Sequence, residues 1–248
     1  MPAETFALLT AGAFMGGFVN GFAGFGIALF ALGWWLQIMV PLEAVALTLA
    51  AGVVTGAPGL HVVWRRIEPR LLARFVVPAL AGLPLGTALL AVVDARTLVA
   101  LVAAVLIGYG VFFSLRARLP AITGERRAAD AAVGLASGVL GGMAGLSGVL
   151  PTIWLSLRAW DKGRTRGLLQ PFNTVILLLA AFAVFLQGGY TTATWTNLLY
   201  GLPGMAAGVA TGIWLYRRVG DGVFRRALVV LMLLSGFALV AQLLLEQA

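Results

Sequence analysis

The chain has 248 residues, 61% of them hydrophobic and only 10% charged, with a mean hydropathy of +1.00. Too few polar side chains remain to cover a water-soluble globule of this size, so the sequence predicts an all-α polytopic bundle of membrane helices solvated by lipid. The absence of cysteine excludes disulfides and thiolate chemistry, and the net charge of +8 is gathered so tightly near segment ends that it reports membrane orientation, not nucleic-acid binding.

Residues Met1 to Phe6 carry no basic n-region and lead into a long apolar stretch, which is not the pattern of a cleaved secretory signal. About 20 apolar residues cross a bilayer core, and windows of that size fall first at roughly 6–33, 42–64, 72–93 and 97–115. Segment 1 contains Gly16-Gly-Phe-Val-Asn-Gly-Phe-Ala-Gly-Phe-Gly26. Glycine weakens a helix by about 1 kcal/mol per residue relative to alanine, so this density predicts a break. Non-helical backbone at membrane depth persists only where protein or a polar cavity covers it, and Asn20 puts a polar side chain into the break. The competing reading is close helix approach, because Gly12/Gly16 and Gly17/Gly21 are spaced as small-xxx-small pairs. On segment 2, Thr48 and Thr55 are weaker polar candidates, since threonine readily bonds its own helix. The first basic cluster, Arg65, Arg66, Arg70 and Arg74, follows.

The stretch 116–131 is the most polar connection and holds the second cluster, Arg116, Arg118, Arg126 and Arg127. It reads as the linker between an N-terminal repeat, 1–115, and a C-terminal repeat, 132–248, within one integral membrane domain. Segments 5 to 8 fall at roughly 132–157, 167–187, 195–216 and 224–245. Segment 5 repeats the glycine-rich break as Ser137-Gly-Val-Leu-Gly-Gly-Met-Ala-Gly-Leu-Ser-Gly148, with Ser147 inside it. The third cluster, Arg158, Lys162, Arg164 and Arg166, reads mainly as orientation charge. Segment 6 then opens with Gln170, Asn173 and Thr174 at i, i+3 and i+4, on one helix face beside Pro171. These side chains suit a binding site and interhelical hydrogen bonding about equally well. The fourth cluster, Arg217, Arg218, Arg225 and Arg226, separates segments 7 and 8, leaving only Arg96 outside the four.

The halves overlay. Gly17, Gly21, Ala23 and Gly24 align with Gly138, Gly142, Ala144 and Gly145, and Gly82, Gly86 and Gly110 align with Gly208, Gly212 and Gly236. Equivalent loops carry opposite charge bias: the loop after segment 2 is basic and 187–194 is uncharged, while 35–43 lacks basic residues and its counterpart is the third cluster. Basic loops stay cytoplasmic, so this is the pattern of inverted-topology repeats. Inversion needs an odd number of crossings per repeat, which the eight segments supply if segments 1 and 5 are broken or re-entrant and both termini lie outside. Eight plain crossings, with one basic loop outside, is the alternative.

A break exposes amides at a half-helix N-terminus, and with the helix dipole these make an anion site that needs no buried cation. The candidate substrate-binding residues are Asn20, Gly21, Gly24, Gly26, Gly142, Gly145, Ser147, Gly148, Gln170 and Asn173. An enzyme reading is weak. Gly145-Leu-Ser-Gly148 matches a short intramembrane-protease motif, but His61, the single histidine, sits near the basic end beside Trp64 with nothing to orient it. No metal motif or Walker loop occurs, and no cofactor or metal is expected. Acidic residues are absent from segment centres, so no carboxylate proton relay is visible. The tryptophans fall near segment ends and read as interface anchors.

The break Asn20-Gly-Phe-Ala-Gly-Phe-Gly26, its echo Gly138–Gly148 running into Pro151, the Trp160-Asp-Lys162…Arg166…Gln170 stretch and the duplicated plan resemble the sulfite exporter TauE/SafE (TSUP) family of membrane permeases over essentially the whole chain. This chain departs from many members in lacking a continuous glycine run in the first motif, with Phe22 and Phe25 in its place. The resemblance implies a bacterial inner-membrane protein that moves sulfite, organosulfonates or related anions. On it, the chain reads as a secondary transporter whose partners are a small anion and the lipid bilayer, with a passive anion channel as the alternative. A homo-oligomer is compatible with either.

Overall fold

The computed structural model describes residues 2–115, 122, 124–158 and 160–245, and among these every regular element is helical. Segment 1 is two helices. α1 (Ala3–Ala23) ends at Gly24, whose φ of 86° is left-handed and whose N–H closes on the Asn20 carbonyl. α2 (Ile27–Trp35) opens behind Gly26, left-handed again with a φ of 103°. L side chains avoid that region, so two glycines around Phe25 allow a reversal that other residues would resist. α2 turns back along α1: Gly16 faces Ile27 and Ala31, Gly12 faces Trp35, and the Trp35 indole donates to the Leu9 carbonyl at 3.2 Å.

Next come α3 (Pro41–Val63), a short 3-10 turn (Trp64–Arg66), α4 (Pro69–Leu90) and α5 (Ala95–Leu115). Segment 5 then repeats the reversal. α6 (Arg127–Ala144) ends at Gly145, φ 69°, a left-handed glycine cap with Gly145 N–H to Gly141 O and Leu146 N–H to Leu140 O. It begins at Arg127, inside the stretch read as linker. α7 (Val149–Ser156) returns along it, and the Trp154 indole reaches Asp130 in the first turn of α6 at 2.7 Å. Segments 1 and 5 are therefore helical hairpins, each broken at its glycine-rich stretch. Trp35 and Trp154, read from sequence as interface anchors, instead fasten the returning arms.

α8 (Lys162–Leu186) is capped by Asp161, whose carboxylate accepts from the Gly163 and Arg164 amides. These charge-assisted bonds, the Arg164 amide foremost, hold the carboxyl below its ordinary range. α9 (Thr192–Arg218) starts with a reciprocal Thr191/Thr194 capping box, and α10 (Asp221–Leu245) is the last described helix.

Glycines set the helix contacts. Gly17 and Gly21 on α1 rest on the backbone of Met205 and Val209 on α9, while Gly208 and Gly212 on α9 rest on Phe14 and Phe18. A Cβ at any of the four would collide with a facing carbonyl. α6 and α4 meet in the same way: Gly138 and Gly142 on Ala79 and Leu83, Gly82 and Gly86 on Leu135 and Val139. Each residue in the second set is the aligned counterpart of one in the first. α3 lies on α8 through Gly52, Gly56 and Gly59, and α5 on α10 through Gly110 and Gly236.

The basic clusters converge on one end. Arg66 reaches Asp161 at 3.2 Å, Arg164 reaches Glu68 at 2.9 Å, Arg74 reaches Glu125 at 3.2 Å, and Lys162 Nζ donates to the Tyr216 and Val219 carbonyls. Arg116 and Arg118 lie outside the described residues. Residues 124–131, 158 and 160–166 share this end, linked by the buried Arg158–Asp130 pair at 2.7 Å. The opposite end holds 36–40, 91–94 and 187–191, where Thr191 donates to Glu43. Among the described residues, α1, α3 with its 3-10 turn, α4, α8 and α9 are long and apolar enough to cross a membrane.

Candidate functional site: the meeting of two hairpin tips

The two tips pass each other at the centre of the bundle, with Gly148 against Phe25 and Gly145 against Ala28 and Thr48. α3 and α8 run beside them and supply the polar side chains. Ser147 donates to Asn173 Oδ1 at 2.6 Å, and both residues are buried. Asn20 Nδ2 donates at 2.7 Å to Thr55 Oγ1, whose own proton goes to the Ala51 carbonyl. Gln170 Nε2 donates to the Gly56 carbonyl at 3.2 Å, and its side chain fills the space left by Gly59 and Gly24. Thr55 and Asn173 stand near the middles of α3 and α8.

Ten sequence-level candidates thus divide. Asn20, Gly24, Gln170, Ser147 and Asn173 come together in the polar centre, and Gly145 and Gly148 shape the second tip. Gly26 opens α2 against its own neighbour Val19. Gly21 and Gly142 lie within α1 and α6 and serve helix contact, as the packing reading expected. Thr48 and Thr174 bond carbonyls four residues back on their own helices. His61 is exposed, while the Ser147 hydroxyl is committed to Asn173.

Arg166 was missed. It is 1% exposed, directs Nη2 to the Gly21 carbonyl at 2.7 Å and Nη1 to the Phe22 carbonyl at 3.4 Å, and lies 4.2 Å above the Tyr216 ring. The guanidinium caps the C-terminal carbonyls of α1, where the helix dipole is negative. Among the described residues no carboxylate pairs with it. The expectation of a site with no buried cation therefore needs correcting: the first tip holds one. The signal was present in the sequence, because Arg166, Gln170 and Asn173 recur at i, i+4 and i+7 on one face of α8. Proximity to Lys162 and Arg164 made it look like part of a solvated cluster.

Three buried polar atoms near the first tip have no hydrogen-bond partner: Asn20 Oδ1, Gln170 Oε1 and Arg166 Nε. Nearby, the first-turn amides of Ile27, Ala28 and Leu29 have no acceptor within α2, as at any helix N-terminus, and all three residues are buried. The second tip offers less, since Val149 N–H closes on the Leu146 carbonyl and Pro151 has no N–H. A groove of about 310 Å³ between α3 and α9 reaches Thr55 from the side. On the basic end, Arg70, Arg74, Arg127, Arg158 and Arg164 line a cleft of about 1030 Å³ with Glu68 and Glu125.

A family model described as sulfite exporter TauE/SafE matches residues 8–239. No curated protein and no solved structure shows significant similarity to the chain. The match takes in both hairpin tips, the polar centre between them and, among the described residues, all or most of each helix long enough to cross a membrane. The chain belongs to the sulfite exporter TauE/SafE family of integral membrane transport proteins.

Proposed function

We propose that this protein is a secondary transporter of a small anion, such as sulfite, an organosulfonate or a related oxyanion, working by alternating access around the polar centre. The observation that carries the reading is the crossing of two broken hairpins beside buried, incompletely bonded polar groups. Transporters of this design place their sites where discontinuous helices meet near the bilayer midplane. The α2 amides and Arg166 supply positive potential there, and Asn20, Ser147, Gln170 and Asn173 shape the cavity.

The two halves, 1–115 and 132–248 about the 116–131 linker, act as inverted repeats. Support comes from the exchanged glycine contacts, in which α1 rests on α9 as α6 rests on α4. The convergence of basic residues on one end supports an orientation with that end in the cytoplasm of a bacterial inner membrane. The hairpins then enter from opposite faces and return, and both chain termini lie outside.

Reconstitution into proteoliposomes tests the reading. Saturable sulfite or sulfonate flux, with accumulation against a substrate gradient when an ion gradient is imposed, is the expected result. Downhill conductance without saturation points to a passive channel. Absence of anion flux from well-folded protein rejects both.

A further inference from the structure

The polar centre is richer in unsatisfied acceptors than an anion alone can use. Gln170 turns its NH₂ to the Gly56 carbonyl, so the other atom of the amide, Oε1, is an acceptor by necessity. Asn20 is fixed likewise. Its NH₂ must be the group that faces Thr55 Oγ1, because that hydroxyl spends its proton on Ala51. Both amide oxygens are buried without a donor. They are held by consecutive residues of α3, Thr55 and Gly56. A buried acceptor without a donor is costly, and an anion placed against it repels it. Arg166 Nε is the complementary case, a buried donor with no acceptor. It stands beside Gln170 Oε1 against the first tip, since a Cβ built on Gly24 would lie 2.8 Å from the amide oxygen and 3.4 Å from Nε, so a ligand reaches both atoms only as the Gln170 side chain gives way.

Resting on the anion-transport reading above, we propose that the site takes its oxyanion in singly protonated form. The ligand's O–H donates to Gln170 Oε1 or Asn20 Oδ1, and its charged oxygens accept from Arg166 Nε and the α2 amides. The proton crosses on the substrate, so no carboxylate on the protein has to carry it. Charged and titratable groups around these atoms are few. Arg166 comes from α8, Tyr216 faces its guanidinium from α9, Arg217 on α9 acts on it through its charge, and Arg66, Asp161 and Lys162 lie at the basic end of α8. α1, α2 and α3 present no titratable side chain to Gln170, and His61 on α3 is exposed.

The test is anion binding to the purified full-length protein across the pH interval in which hydrogen sulfite loses its proton. Methanesulfonate, ionised throughout and without an O–H, is the comparison anion. The expected result is a sulfite affinity that falls roughly tenfold per pH unit once deprotonation sets in, because only the protonated fraction is competent. Methanesulfonate is expected to bind on the order of 10–100-fold more weakly than hydrogen sulfite, with no such slope. A titrating protein group would bend both profiles and overturn the proposal. Equal binding of the two anions at all pH values also overturns it, while leaving anion transport standing. Binding of neither overturns the transport reading and this inference with it. Gln170→Leu, which removes one acceptor, is expected to flatten the sulfite slope; the wild-type comparison stands even if that variant fails to fold.

Discussion

The two hairpins share a fold and differ in chemistry. In the first, two left-handed glycines surround Phe25, a buried guanidinium covers the end carbonyls of α1, and three polar atoms nearby are unsatisfied. In the second, one left-handed glycine suffices, Ser147 is paired with Asn173, and Pro151 removes an amide from the first turn of α7. Their bases differ as well. Trp35 meets a backbone carbonyl, whereas Trp154 meets the buried Asp130–Arg158 ion pair. The two hairpins thus share their packing and differ at their tips: the first tip carries unsatisfied polar capacity, and the second is closed on itself. Buried polar groups left open are expensive; at the first hairpin they lie at the tip, whereas at the second they lie at the base, where Asp130 Oδ2 and Arg158 Nε have no hydrogen-bond partner.

Substitutions can break this comparison. The largest effect on stability is expected at the base of the second hairpin. Asp130→Ala leaves Arg158 buried and unpaired, a loss of about 3–5 kcal/mol, read as a lower melting temperature with anion affinity little changed in the folded fraction. Gly24→Ala is expected to weaken anion binding by about 2–3 kcal/mol, roughly 100-fold, because the new Cβ displaces Gln170 from a site where the backbone is also left-handed. Gly145→Ala sharpens the contrast. Its Cβ meets neighbours only at ordinary contact distance, 3.4 Å and beyond, so the expected cost is the left-handed strain of about 1–2 kcal/mol in stability, with affinity retained. If the two substitutions affect binding equally, the division of roles is wrong.

Smaller effects follow at the paired groups. Ser147→Ala strands one acceptor of Asn173 and is expected to cost about 1–2 kcal/mol of stability, with less than a tenfold change in affinity. Asp161→Ala removes the cap of α8 at about 1 kcal/mol. Because the Asp161 carboxyl is held below its ordinary range by the Arg164 and Gly163 amides, its contribution is full above the unfolded value and disappears as acid protonates the folded carboxylate. A melting series toward acid pH should therefore show wild type converging on the alanine variant.

Much of the architecture was legible in residues. Glycine density located both breaks, and the aligned glycines of the two halves make exchanged contacts. The polar face of α8 was visible in the spacing of Gln170 and Asn173. Other features were not. Arg166 has the same side chain as Arg164, yet one is 1% exposed and the other pairs with Glu68 on the surface. Nothing local distinguishes them; the carbonyl end of α1 does. Asp130 lies in an apparently polar linker, and only the return of α7 buries it.

Sequence alone determined the quantities that depend on near neighbours along the chain: lipid as solvent, where the helices break, which end is basic and which faces are small enough to touch. Those follow from hydropathy, backbone freedom and charge. Tertiary structure decided which polar groups find partners, because a hydrogen bond between residues 144 positions apart, as from Arg166 to Phe22, is a property of how helices meet. The chemistry of the first tip rests on that second kind of information.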